Sequence, residues 1–207
     1  MKKMVKYYSI FGGILLITNL SFADVKITKD IANITIKHKN KTIKIERIQD
    51  TNHRLTNSFA KTSRECPPFC IQPMYIDGVK TVGEMEVLEF LQRITKGDNS
   101  ILVDARTSEW YKNSTIPGST NLPFTMLNKD SKYIDRILEI LGAKKIDGGW
   151  NFDDAVKILV FSNGIWDAQA PKAIQNLIDV GYPKDKILYY RGGMQNWQNV
   201  GLTTVRQ

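Results

Sequence analysis

Between Val25 and Ile48 apolar and polar residues alternate: Ile34 and Ile36 stand among polar neighbours, Lys39-Asn40-Lys41 supplies a turn, and Ile43 and Ile45 follow with lysine and glutamate around them. A period of two carried by β-branched side chains predicts a β-hairpin. From Asp50 to Glu65 the periodicity gives way to Thr, Asn, Ser and Lys, which marks a linker or a loop laid over the domain surface, and a domain boundary is placed just after it. Val82, Met85, Leu88, Leu91 and Ile94 then recur at helical spacing. They follow a Thr81 and Glu84 pair that reads as a capping box, so a helix is predicted over 82–95.

Short apolar runs at 101–105, 158–161 and 187–190 read as buried parallel strands, apolar on both faces. Helical spacing returns at 131–141 through Ile134, Ile137, Leu138 and Leu141, and at 168–180 through Ala173, Ile174, Leu177 and Ile178. Each of these segments stops at a glycine, Gly142 or Gly181, suited to a helix C-cap. Strands alternating with helices predict an α/β fold with a mainly parallel central sheet flanked by helices, preceded by an N-terminal β-hairpin extension.

The first 23 residues differ in character: Lys2, Lys3 and Lys6, an apolar run from Tyr7 to Leu20, then Ser21-Phe22-Ala23. Basic, apolar and small regions in that order predict a secretory signal peptide cleaved after Ala23, and with it a periplasmic or otherwise extracytoplasmic location. No later run is long and apolar enough to span a bilayer. The 207-residue chain fits one domain with appendages. Of its 29 basic and 21 acidic side chains, the leader holds three lysines and no acids, so the remainder is 26 against 21, a mild +5. The surplus lies between Lys26 and Lys61 without interleaved aromatics or a nucleic-acid motif, so it is read as a solvated face, not a nucleic-acid site.

Both cysteines, Cys66 and Cys70, lie in Cys-Pro-Pro-Phe-Cys. In an oxidising compartment such a pair is a disulfide staple or a redox couple, and both readings stay open. Two thiols supply half of a zinc site, and His38 and His53 stand at no ligand spacing from them, so neither a metal nor another cofactor is expected.

Three segments together resemble the rhodanese homology domain. The first is Leu102-Val103-Asp104-Ala105-Arg106-Thr107-Ser108-Glu109-Trp110, the second Ile116-Pro117-Gly118-Ser119-Thr120-Asn121-Leu122-Pro123, and the third Tyr190-Arg191-Gly192-Gly193-Met194-Gln195-Asn196-Trp197. The Cys-Pro-Pro-Phe-Cys-Ile-Gln-Pro segment resembles an extension found before exported domains of this family. On this resemblance the chain divides into the leader at 1–23, the hairpin and linker at 24–65, the Cys-x3-Cys segment and first helix at 66–97, and the rhodanese-like domain at 98–205. Most of the motif residues are given structural work: Asp104 and Arg106 pair or cap chain ends, Pro117-Gly118 turns the chain, and Trp197 lies in the core.

In active members of that family a cysteine follows the central strand and opens a loop of inward-pointing N–H groups ahead of a helix, a cradle that lowers the thiol pKa and holds an anionic sulfur donor. The resemblance aligns Ser162 with that cysteine, at the head of Ser162-Asn163-Gly164-Ile165-Trp166-Asp167-Ala168. A serine hydroxyl cannot become a persulfide, and without a base it stays protonated. No histidine occurs in the rhodanese-like region, and the surroundings are not a Gly-x-Ser-x-Gly elbow. The related phosphatases require a cysteine and, six positions later, an arginine where Ala168 stands. Asp167 is expected to cap the following helix and to repel an incoming anion.

The expected function is that of a binding or accessory module without thiosulfate sulfurtransferase activity. Its partner would be a protein or a small anionic or sulfur-containing ligand, with Asp104, Arg106 and Arg191, beside Asn163 and Trp166, as pocket candidates. The rival expectation is a sulfurtransferase or thiol-redox enzyme that uses Cys66 and Cys70.

Overall fold

The computed structural model describes residues 25–207, so the expected leader and its cleavage point lie outside the described residues. The alternating segment forms a hairpin of β1 (Asn33–His38) and β2 (Lys41–Glu46), with Ile34 opposite Ile45 and Ile36 opposite Ile43. Then come β3 (Lys80–Val82), α1 (Glu84–Thr95), β4 (Ser100–Asp104), α2 (Ser108–Asn113) and β5 (Ser119–Asn121). They are followed by α3 (Ile134–Ile140) and the two short strands β6 (Lys144–Ile146) and β7 (Gly149–Asn151). β8 (Lys157–Phe161), α4 (Gln169–Asp179), β9 (Ile187–Tyr190) and α5 (Gly193–Asn199) complete the order.

Five strands form one parallel sheet in the order β3-β9-β8-β4-β5. Because successive side chains of a strand point to opposite faces, the apolar runs feed two separate cores. Val103, Ile158, Val160 and Tyr189 pack beneath α3 and α4. Leu102, Leu159, Phe161 and Tyr190 meet α1, α5 and the hairpin isoleucines Ile34, Ile36 and Ile45 on the other face. Phe59, from the non-periodic stretch, is buried in this second core, and that stretch otherwise holds only a short 3-10 turn at Ser58–Ala60.

The capping-box expectation is corrected. Thr81 and Val82 belong to β3, and the box forms two residues later: Gly83 is the N-cap of α1, and its N–H donates to Glu86 Oε2 at 2.9 Å. Thr81 Oγ1 instead donates to the Met74 carbonyl, and Glu84 accepts the Tyr190 hydroxyl at 2.8 Å. Pairing with β9 extends through Val82, opposite Tyr190, and so holds extended the residue at which the expected helix would begin. The 131–141 segment likewise becomes helical only at Ile134, after a turn in which Ser131 N–H bonds the Asn128 carbonyl.

Candidate functional site

The chain leaves β4 toward β5 on one side of the sheet and leaves β8 toward β9 on the other. Loops that diverge in this way open a crevice beyond the strand ends, where α/β sheets bind ligands. Here Asp104, Arg106, Asn163 and Asp167, all buried, follow the ends of β4 and β8.

Asp104 closes β4, and Arg106 follows two residues later; both side chains are fully buried. The guanidinium grips the carboxylate through Nε to Oδ1 at 2.9 Å and Nη2 to Oδ2 at 2.6 Å, a two-pronged contact that suits a planar fork. It also donates to the Ser114 carbonyl at 2.6 Å and to Asn163 Oδ1 at 3.3 Å, while Thr115 Oγ1 donates to Asp104 Oδ2. Desolvated charges persist only when paired and bonded in this manner.

The loop after β8 closes on itself. Asp167, 5% exposed, lies under the turn, and its Oδ2 accepts the Asn163 N–H at 2.9 Å, the Asn163 side-chain amide at 2.8 Å and the Gln169 side-chain amide at 3.1 Å. Its Oδ1 accepts the N–H of Gln169, the first residue of α4, at 3.0 Å, while the N-cap position expected for Asp167 is held by Ala168. The loop therefore carries its own anion, bonded to a backbone amide that an anion cradle would offer to a ligand. A second anion would meet a carboxylate in a poorly solvated space, where like charges repel strongly.

Ser162 is 3% exposed. Neither histidine is at the loop: His38 Nδ1 accepts the Gly118 N–H at 2.9 Å, and His53 lines a surface cavity with Arg47, Asp50 and Gln198. Tyr189, whose ionisation feels the Asp167 charge, is pushed up to about 12, chiefly by burial, and so stays protonated. Behind the loop, the Met194 and Gln195 N–H groups bond the Ser162 and Asn163 carbonyls at 3.0 and 2.8 Å. Gly193 makes that approach possible: with φ +55, a Cβ there would lie 2.4 Å from the Ser162 oxygen.

The outer side of the loop is covered by the segment that holds both cysteines. The Arg64 guanidinium lies 3.8 Å above the Trp166 ring centre, and Phe69 meets the same ring edge-on at 5.6 Å. The Gln72 N–H bonds the Ile165 carbonyl at 2.8 Å. Trp166 is fixed from below by Nε1 donating to Gln195 Oε1 at 2.6 Å. Cys66 and Cys70 form a disulfide with Cα atoms 4.7 Å apart, joining residues four apart in sequence.

The profile of the rhodanese-like domain matches residues 86–200, more than half of the chain. The chain belongs to the rhodanese-like domain family. Among curated proteins none matches it. Among solved structures it is similar to a Bacillus halodurans protein (BH2092), with 19% identity, 61% of this chain and 77% of that one covered, and a TM-score of 0.45. It is also similar to a thiosulfate sulfurtransferase of Pseudomonas aeruginosa, at 19% identity, 62% of this chain and TM-score 0.44, spanning only 20% of that protein. A human single-domain sulfurtransferase matches at 19% identity, 58% and 96% coverage and TM-score 0.41.

Within the rhodanese-like loop, Asp104 and Arg106 come together with Asn163 as a buried network. Arg191 does not join it: its guanidinium donates to the Gln72 and Pro73 carbonyls and so holds the covering segment. Sequence reasoning missed Arg64, Phe69, Gln72 and Gln195 as neighbours of Trp166. Phe69, an aromatic between two cysteines, was the one visible hint.

Proposed function

We propose that this protein is an extracytoplasmic rhodanese-like module whose loop carries no sulfane sulfur and which serves as a binding or accessory domain. The observation that carries the reading is the occupant of the cradle: Ser162 stands at its head, and the Asp167 carboxylate takes the Asn163 amide. A serine oxygen forms no persulfide, and the internal carboxylate disfavours thiosulfate or any comparable anion. A protein partner fits better than a small anion. Phe69, Ile71, Met74 and Tyr75 are exposed in one short stretch over the loop, between 42% and 78%, and apolar surface of this kind is usually covered by another protein.

Export is part of the same proposal. It is supported by the basic, apolar and small order of residues 2–23 and by the disulfide, a bond that persists in oxidising compartments. Among the described residues no helix is long and apolar enough to cross a membrane. The decisive assay incubates the purified protein with thiosulfate and cyanide, and the expected result is no thiocyanate above the blank. Turnover that disappears in Ser162→Ala would sink the reading.

A further inference from the structure

We propose that the Cys66–Cys70 disulfide is a thiol–disulfide exchange site that accepts two electrons from a dithiol. A structural staple stabilises mainly by closing a long loop in the unfolded chain, and that effect shrinks with the number of residues enclosed. This bond joins residues four apart within one turn, closed also by the Phe69 N–H to the Glu65 carbonyl at 2.9 Å. It ties no distant segments together. The segment is held to the domain by other contacts: Arg64 and Phe69 on Trp166, Gln72 on Ile165, and Arg191 on the Gln72 and Pro73 carbonyls. The bond is therefore dispensable for docking the segment.

It is also reachable. Cys66 is exposed, Cys70 half-buried, and Pro67, Pro68 and Phe69 between them are exposed, so an incoming thiolate has access to the Cys66 sulfur first. The exchange balances in two steps. A thiolate of the dithiol attacks Cys66 Sγ, the bond to Cys70 breaks, and Cys70 leaves as a thiolate that takes up a proton. The second thiol of the donor then loses its proton and attacks its own sulfur in the mixed disulfide, releasing Cys66 as a thiol. The donor is oxidised to a disulfide and the pair is reduced to two thiols. The inference is independent of the accessory reading of the loop, because neither Ser162 nor Asp167 takes part.

The test exposes the full folded chain to reduced thioredoxin, a protein dithiol, or to dithiothreitol at equal concentration. Samples are quenched with an alkylating reagent, and labelled thiols are counted by mass spectrometry. Two labelled cysteines per chain appearing within minutes, while circular dichroism stays native, support exchange. Faster labelling with the protein dithiol assigns a protein donor, and equal rates assign a small one. Labelling only after denaturant is added, with either reductant, overturns the proposal. A second measurement uses reduced thioredoxin whose resolving cysteine is replaced by serine: its one thiolate joins Cys66 Sγ, Cys70 leaves as a thiol that is alkylated at once, and the mixed disulfide cannot be resolved. Capture at Cys66 is expected, and no adduct despite native circular dichroism overturns the assigned order of attack. Thiosulfate–cyanide turnover abolished by Ser162→Ala would end the accessory reading and leave this one standing.

Discussion

At the scale of single residues, the loop is governed by two buried charges that face the same asparagine. Arg106 approaches Asn163 from one side and Asp167 from the other, so Asn163 is positioned by a cation on its oxygen and an anion on its nitrogen. Removing one member of a buried ion pair strands the other: Asp104→Ala is expected to lower unfolding stability by about 3–5 kcal/mol, read from denaturant titration. On the proposed reading, a cysteine placed at position 162 should not gain the reactivity of a nucleophile. In Ser162→Cys, burial and the nearby Asp167 carboxylate both disfavour a thiolate, so alkylation at pH 7 should run slower than for a free cysteine. Labelling faster than the free amino acid would show that the cradle still stabilises negative charge.

At the scale of elements, α5 and the hairpin show how neighbours set the geometry. Gly193 opens α5 in a left-handed conformation with the loop backbone pressed against it. Gly193→Ala should therefore cost at least about 1–3 kcal/mol, by strain at φ +55 and by contact with the Ser162 carbonyl. The hairpin is joined to the sheet through His38, which accepts the Gly118 N–H and meets the Gln207 side chain at 2.9 Å. Burial, helped by the Lys39 charge, holds the His38 pKa below its ordinary value, with the Gln207 contact opposing. Protonation then favours the unfolded chain: stability is complete above the unfolded value of about 6.5 and declines as the pH falls from there toward the folded value. Thermal unfolding between about pH 6.5 and 5.5 should thus fall more steeply for this protein than for His38→Gln. Parallel curves would exclude His38 as the cause.

At the scale of the molecule, stability rests on two cores that sandwich one parallel sheet, and the disulfide stands outside both. Replacing Cys66 and Cys70 together with serine should cost no more than about 2 kcal/mol, the chain-entropy value for so short a loop. A larger loss in the unfolding midpoint would make the bond a true staple. The sheet strands at 100–104, 157–161 and 187–190 and the helix after the loop were legible along the chain, because a strand buried on both faces and an amphipathic helix each impose a local pattern. The three-residue strands β3 and β5 were not legible; they exist by pairing with neighbours and carry no period of their own. That residue 162 carries a hydroxyl and not a thiol needs no fold to be read. What only tertiary structure decided is where the charges and the covering segment go. Asp167 turns inward onto the Asn163 amide, Arg191 turns away to the covering segment, and Arg64 and Phe69 cross to Trp166 from far along the chain. Apart from the local Asp167–Asn163 bond, these contacts join residues far apart in the chain; all are chosen by packing and desolvation after the chain collapses, and they leave no mark on the spacing of apolar and polar positions.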